Sequence, residues 1–403
     1  MPIPPASLIR RITAPALACL LALAALGPGL PARAQDAFYV AGPDQLSGPP
    51  GSIIRDAPMA VVPFGATARR VLYRSTGPDG ASIAVSGVVI IPDQVQAGAG
   101  RPVIAWAHPT TGIVPRCAPS LAHFLYQQIA GLRTFIDRGY IVAATDYPGL
   151  GTAGPHPFLV GESEGRAVLD MARAAQALAG TAAGRQVALW GHSQGGQAVL
   201  FAAAAAPRYA PELDIAGVAA AAPATDLAQL LRDDLGTPGG DNLAAMTLWS
   251  WTQVYGAPVA DVIDPPALGV MDALARVCLE SPIDIWPRQR LGAALTRGFL
   301  RDPGFIAREP WRGLLARNTP GLLPRTLPVF LAQGTADATV RPPVTLAYAR
   351  RLCAAGSRLA FLPLPGVGHG LAANDAVPAL DAWLAGRFAG RPAPDDCDAL
   401  GPR

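Results

Sequence analysis

Three residues of this 403-residue chain have the types and the order needed for nucleophilic catalysis: Ser193, Asp337 and His369. Ser193 lies in QVALWGHSQGGQAVLFAAAAA, residues 186–206. That stretch reads as a buried strand over Val187–Trp190, a sharp turn Gly191-His192-Ser193-Gln194-Gly195, and a helix from near Gly196. It is the G-x-S-x-G pattern of a serine held in a strained strand-to-helix turn. The positions two residues either side of such a serine must be small, and Gly191 and Gly195 meet that need. The turn would expose the hydroxyl at the carboxyl edge of a sheet, over a helix N-terminus that favours developing negative charge. In a Gly-rich chain the pentapeptide alone is weak, and the apolar strand before it and Ala-rich helix after it give it weight.

Serine is a poor nucleophile without a base in hydrogen-bond reach and an acid orienting that base. With this type of turn the chain order is Ser, then Asp or Glu, then His. LPVFLAQGTAD, residues 327–337, supplies a strand, a Gly turn and Asp337 at the strand's end; Asp302 and Asp375 have no strand to deliver them. FLPLPGVGHG, residues 361–370, places His369 in a Gly-flanked loop before the final helix, and of five histidines only His369 follows Asp337. The tetrahedral intermediate also needs two backbone N–H donors held in place beforehand. One is Gln194, the residue after the serine. The other belongs to the loop WAHPTTG, residues 106–112. Pro109 has no N–H, so Thr110 is the first choice and Thr111 the second. His108 in that loop reads as a structural hydrogen-bonding residue beneath the site.

Behind these residues, strand and helix patterns alternate. Residues 35–65 are Gly- and Pro-rich and read as an extended arm, followed by strands at 68–75 and 82–91 joined by a Gly-Pro-Asp-Gly turn. Further strands are expected at 102–107, 140–145 and 215–222, with helices at 120–138 and 163–178. From about 224 to 325 the alternation breaks into short helical stretches carrying Trp249, Trp251, Trp286 and Trp311. It resumes with a strand at 327–333, a helix at 343–354, a strand at 359–363 and a helix at 374–388. This pattern predicts an α/β fold, a mostly parallel sheet with helices on both faces. A large, mainly helical cap would be inserted between two of the later strands, dividing the core into 35–223 and 326–403.

The first 34 residues read as a signal peptide. Arg10 and Arg11 precede an apolar run from Ala14 to Leu26, and Ala32-Arg33-Ala34 offers a small-x-small cleavage site before Gln35. The run is too short to span a bilayer comfortably. A secreted or periplasmic protein is expected, with no transmembrane segment in the mature chain. Cys19 lies inside the apolar run rather than at its end, which argues against a lipoprotein site. Removing the segment takes away Arg10, Arg11 and Arg33, leaving 32 − 3 = 29 basic against 29 acidic residues. All basic residues are Arg. That balance points to no nucleic-acid partner. Neither a metal-ligand cluster nor a dinucleotide motif is evident, so no cofactor and no metal are implied. Cys117, Cys278, Cys353 and Cys397 remain, an even number that suggests two disulfides, with three connectivities open.

Six segments together resemble the secretory lipase family, the fungal lipase A-like group and its bacterial relatives. They are HPTTG at 108–112, RCAPS at 116–120, DYPGLGTAGPHPFLVGESEGRAVLD at 146–170, GHSQGG at 191–196, GTADATV at 334–340 and GVGHG at 366–370. The resemblance implies an α/β-hydrolase with a large lid between the serine half and the acid. It implies hydrolysis of carboxylic esters, lipids included, with catalytic roles on Ser193, Asp337 and His369. It also supports the pairings Cys117–Cys278 and Cys353–Cys397. The expected partner is a small-molecule ester or lipid, with transient contact at a lipid interface. Cap aromatics are expected to bury medium or long acyl chains, although each of the four tryptophans taken singly reads better as filling the cap's own core. The competing readings are a short-chain carboxylesterase, an acyltransferase, a peptidase, or a non-catalytic binding protein on the same fold.

Overall fold

Runs of Val, Ile, Ala and Leu with no polar alternation form the centre of the molecule, because strands covered on both faces have no polar side to present. The computed structural model describes residues 36–94 and 100–401, and Phe38–Arg403 forms one compact unit. The signal peptide expected over residues 1–34 lies outside the described residues.

Among the described residues, nine strands make one sheet: β1 Ile53–Pro58, β2 Ala66–Thr76, β3 Ser82–Pro92, β4 Arg101–Ala107, β5 Ile141–Thr145, β6 Ala183–His192, β7 Asp214–Ala221, β8 Val329–Gly334 and β9 Leu359–Leu364. Their order is β1-β2-β3-β5-β4-β6-β7-β8-β9. The first three are antiparallel, β3 meets β5 antiparallel, and β5, β4, β6, β7, β8 and β9 run parallel. Every residue of β5 and β8 is buried.

The helices outside the insertion are α1 Leu132–Asp137, α2 Gly161–Ala177, α3 Gln194–Tyr209, α9 Pro342–Ala354 and α10 Ala372–Phe388. On one face α2, α3 and α9 pack through Val168, Leu169, Val199, Leu200 and Leu352 against Val103, Val187 and Leu331. On the other, α1 and α10 pack through Phe135, Leu380 and Trp383 against Ile104, Trp190 and Phe330.

Between β7 and β8 lie α4 Leu227–Asp234, α5 Pro238–Tyr255, α6 Pro265–Ala275, α7 Ile285–Leu295 and α8 Trp311–Arg317. They enclose an apolar cluster of their own, in which the rings of Trp251 and Trp311 stack at 6.2 Å. None of the helices among the described residues is long and apolar enough to cross a membrane.

Three local readings need correction. The expected arm contains β1, which pairs with β2; IIRDAP carries no clean alternation because its side chains are only partly buried. The helix expected over 120–138 is instead a series of single turns ending in α1. Gly131, at φ 88°, is incompatible with a continuous helix through it. Helix α3 starts at Gln194, directly after Ser193, not near Gly196.

The disulfides are Cys117–Cys278, from the loop after β4 to the insertion, and Cys353–Cys397, from α9 to the C-terminal tail; both have Cα separations of 5.4 Å.

Candidate active site

Strand β6 and helix α3 are joined by a single residue, Ser193, with φ 57° and ψ −117°. A non-glycine residue at positive φ is sterically costly and persists only where its surroundings over-determine it. Those surroundings are backbone. Ser193 N–H donates to Ala221 O at 3.0 Å, and Gln197 N–H donates to Ser193 O at 3.0 Å. A Cβ at Gly191 would sit 2.2 Å from Gly195 O, and one at Gly195 would sit 1.9 Å from Ala107 O. Only glycine lets β6, α3 and the end of β4 approach this closely.

The hydroxyl so exposed meets a loop from the far end of the sheet. His369 Nε2 lies 2.9 Å from Ser193 Oγ, and His369 Nδ1 lies 2.8 Å from Asp337 Oδ2. Asp337 is buried at the end of β8, and its other oxygen accepts from the Thr339 and Val340 N–H groups at 2.9 Å each. Burial alone would raise its pKa, but the His369 contact and the two N–H groups outweigh burial and hold it below the ordinary carboxylate value. An ionised carboxylate can only accept, so His369 donates from Nδ1 and keeps Nε2 free to accept from Ser193. His192 packs beside His369, with ring centroids 4.9 Å apart and His192 Nε2 3.0 Å from His369 O. Burial, with a smaller electrostatic contribution from His369, lowers the pKa of His192 to about 3.

The structure thus brings Ser193, Asp337 and His369 into one hydrogen-bonded row. Thr110 lines the space over Ser193. The Thr111 hydroxyl turns away and donates to Cys117 O at 2.9 Å. His108 is buried, with Nδ1 2.6 Å from Pro109 O and Nε2 3.3 Å from Asp146 O; burial lowers its pKa to about 4.

Two residues that sequence reading passed over stand behind Gln194. The Gln194 Nε2 group lies 2.7 Å from Glu164 Oε1 and 3.0 Å from His156 Nε2. His156 Nδ1 faces Pro148 O at 2.8 Å, so Nδ1 carries the proton and Nε2 accepts. Burial raises Glu164 well above its ordinary value and lowers His156 to about 3. Both residues belong to the 146–170 block, whose density of Gly and Pro around its single His was the available signal.

Ser193 sits at the junction of two cavities. One, of about 70 Å³, is lined by Phe158, Leu227, Leu230, Leu231, Leu315 and Val340; its one ionisable lining group is Asp234. Burial raises Asp234 to about 6, against the opposing charge of Arg341. The other, of about 470 Å³, is bordered by His369, by amide and charged side chains, and by the apolar Trp106, Pro109, Leu243, Leu279 and Ala373. The expected aromatic wall needs correction. Trp251 and Trp311 are buried in the insertion's own core, Trp249 donates to Asp272 at 2.8 Å, and Trp286 is 75% exposed. Leucines line the apolar cavity, because Trp251 and Trp311 are used to hold the insertion's helices together.

A mostly parallel sheet delivering a serine elbow after β6, an acid after β8 and a histidine after β9 defines an α/β-hydrolase. The chain belongs to the secretory lipase family, whose model matches residues 126–396. It is 26% identical over 394 residues to a secreted triacylglycerol lipase of Malassezia globosa, a match covering 90% of this chain and 81% of that protein. It is also 29% identical over 218 residues to a Mycobacterium tuberculosis protein named as a probable inactive lipase. That second match covers 50% of this chain, which spans about half (48%) of that relative's length. In structure it is similar to Candida antarctica lipase A in its closed state, with a TM-score of 0.72 at 20% identity over 91% of this chain and 92% of the other. It is likewise similar to a rice cell wall degrading esterase from Xanthomonas oryzae, with a TM-score of 0.68 at 21% identity over 82% of this chain and 95% of the other. Lipases and esterases are carboxylic ester hydrolases, the enzyme class of this family.

Proposed function

We propose that the chain is an exported serine hydrolase that cleaves carboxylic esters through an acyl-enzyme, with Ser193 as nucleophile, His369 as base and Asp337 as orienting acid. The observation that carries this reading is the unbroken contact from Ser193 Oγ to His369 Nε2 at 2.9 Å and from His369 Nδ1 to Asp337 Oδ2 at 2.8 Å. His369 Nε2 takes the hydroxyl proton while Ser193 Oγ bonds to the acyl carbon, and the carbonyl electron pair moves onto oxygen. The Gln194 N–H, with the Thr110 N–H as second donor, stabilises that oxyanion. Collapse expels the alcohol, which takes the proton from His369 Nε2. Water then repeats the sequence, releasing the acid and restoring Ser193.

In this reading the insertion, residues 224–325, acts as a cap that walls the acyl site, and residues 1–34 are removed on export before Gln35. Acylglycerols or medium to long acyl esters are the substrates that family membership favours. A short-chain esterase is the second reading, favoured by the modest apolar cavity of about 70 Å³.

The test is turnover of 4-nitrophenyl esters from C2 to C16 by the purified protein and by Ser193→Ala. Loss of essentially all turnover in a folded variant supports the mechanism. Retained turnover in Ser193→Ala would sink it. A fall in kcat/KM at every step beyond C2 would leave the short-chain reading standing in place of the lipase one.

A further inference from the structure

The leaving oxygen of an ester takes its proton from His369 Nε2, so the alcohol portion lies on the side of the base. His369 borders the larger of the two cavities at Ser193 and not the smaller. The acyl portion then lies in the smaller cavity, which Gln194 borders and whose one ionisable lining group is Asp234. A carboxyl is a costly lining for an acyl site. An apolar chain laid against it removes the water that solvates the charge and offers no partner in return.

The fold nevertheless holds Asp234 firmly in this place. Leu227, Leu230, Leu231 and Asp234 all line the cavity, and their spacing of i, i+3, i+4 and i+7 puts them on one face of α4. The stripe starts beside the nucleophile, since Ala224 N–H donates to Ser193 O at 3.4 Å. It ends on Asp234, about 10 Å beyond Leu227 along the helix axis at about 1.5 Å per residue. The Asp234 carbonyl accepts from Thr237 N–H at 3.0 Å and from the Thr237 hydroxyl at 2.7 Å. A Cβ on Gly240 of α5 would sit 2.6 Å from Asp234 Cβ, so the two helices close tightly around it.

The carboxyl itself has capacity to spare. Arg341 Nε lies 3.4 Å from Asp234 Oδ1, long for a charge-assisted bond, and the Asp234 side chain keeps 10% exposure. A carboxylate can accept about four hydrogen bonds. The Thr247 hydroxyl, on the same cavity, is already used on Leu243 O at 2.9 Å.

We propose, resting on the ester-hydrolase reading above, that Asp234 determines acyl selectivity: it receives the hydroxyl of an acyl chain hydroxylated toward its distal end, and it disfavours an all-carbon chain long enough to reach it.

The test compares 4-nitrophenyl 8-hydroxyoctanoate with 4-nitrophenyl octanoate. From ester carbon to hydroxyl oxygen the first spans about 10 Å, at about 1.2 Å per bond of an extended chain. The assay is run at pH 8, above the value of about 6 to which burial raises Asp234 against the charge of Arg341, so the carboxyl is ionised. The wild type is expected to show kcat/KM at least about tenfold higher for the hydroxy ester, since a site that pairs a substrate hydroxyl rejects the analogue lacking it. Asp234→Leu is expected to bring the ratio to one or below. Asp234→Ala, which adds no bulk, is expected to do the same and decides the matter if the leucine variant does not fold. A general loss of structure would slow both esters and leave their ratio unchanged. A wild-type ratio of one or less, or a ratio that survives removal of the carboxyl, would overturn the inference while leaving ester hydrolysis intact. If neither ester is turned over, and 4-nitrophenyl butyrate is not either, the hydrolase reading fails and this inference fails with it.

Discussion

Gln194 is held from behind by Glu164: the side-chain amide of the residue that follows Ser193 donates to Glu164 Oε1 at 2.7 Å. The same oxygen accepts from Leu159 N–H at 2.9 Å. Leu159 lines the apolar cavity. One buried carboxyl therefore ties the start of α3 to the wall beside Ser193. Glu164→Ala leaves two buried donors unpaired, each costing about 1–3 kcal/mol. The expected result is a lower Tm together with a fall in kcat larger than any rise in KM. Glu164→Gln keeps an acceptor there and should recover most of both. If the alanine variant retains wild-type kcat, Glu164 has no part in positioning Gln194.

Glu164 also gives stability a definite pH dependence. Its folded pKa is raised well above 4.5 by burial. Such a carboxyl contributes stability below its unfolded pKa, and the contribution is lost as pH rises through the folded value. Thermal melts from pH 4 upward should therefore show Tm decreasing more steeply for the wild type than for Glu164→Gln. Asp146 and Asp170 are raised by burial as well, so the difference between the two proteins isolates Glu164. Parallel curves would mean that Glu164 stays ionised in the fold.

Asp337→Asn should preserve the fold and remove about 10⁴ of turnover, the scale expected when the base is held in the wrong tautomer. An amide donating to Nδ1 forces the proton onto Nε2, which then points a hydrogen at Ser193. A loss under tenfold would identify a different acid. In the wild type, protonation of His369 abolishes its ability to accept from Ser193, so the rate should fall on the acid side. A rate that does not fall on the acid side would remove His369 as the base.

Gly195→Ala should be among the most damaging of single-methyl additions. The new Cβ would meet Ala107 O at 1.9 Å and His108 O at 2.7 Å, both backbone atoms that no rotamer change can move. Overpacking of this kind costs about 1–3 kcal/mol. It would displace the loop carrying Thr110, so activity should fall further than stability. A variant with normal Tm and normal turnover would show that the elbow tolerates an extra methyl group.

Reduction of Cys353–Cys397 should cost about 4 kcal/mol in the chain-entropy model, and reduction of Cys117–Cys278, which spans 161 residues, about 5 kcal/mol. Cys353→Ser/Cys397→Ser should lower Tm with little change in kcat, because that pair lies away from Ser193. Cys117→Ser/Cys278→Ser should lower both, because the Thr111 hydroxyl, next to Thr110, is anchored on Cys117 O. Equal effects of the two pairs on kcat would contradict this division.

Much of the architecture was readable locally. Strands buried on both faces are apolar throughout, helices repeat with their own period, and a serine between two close-approach glycines marks a turn whatever surrounds it. The sequence by itself therefore determined the α/β alternation, the interruption after β7, and the chain order Ser193, Asp337, His369. Periodicity reports burial but does not say against what. Contact between His369 and Ser193, 176 residues apart, depends on β8 and β9 joining the sheet beside β7. The same holds for Glu164 and His156 behind Gln194, at separations of 30 and 38 residues. No local pattern distinguishes a tryptophan that packs its own helices from one that lines a cavity, and here leucines line it instead. Tertiary structure alone decided that two cavities of different size meet at Ser193, because a cavity belongs to the space between elements and not to any one of them.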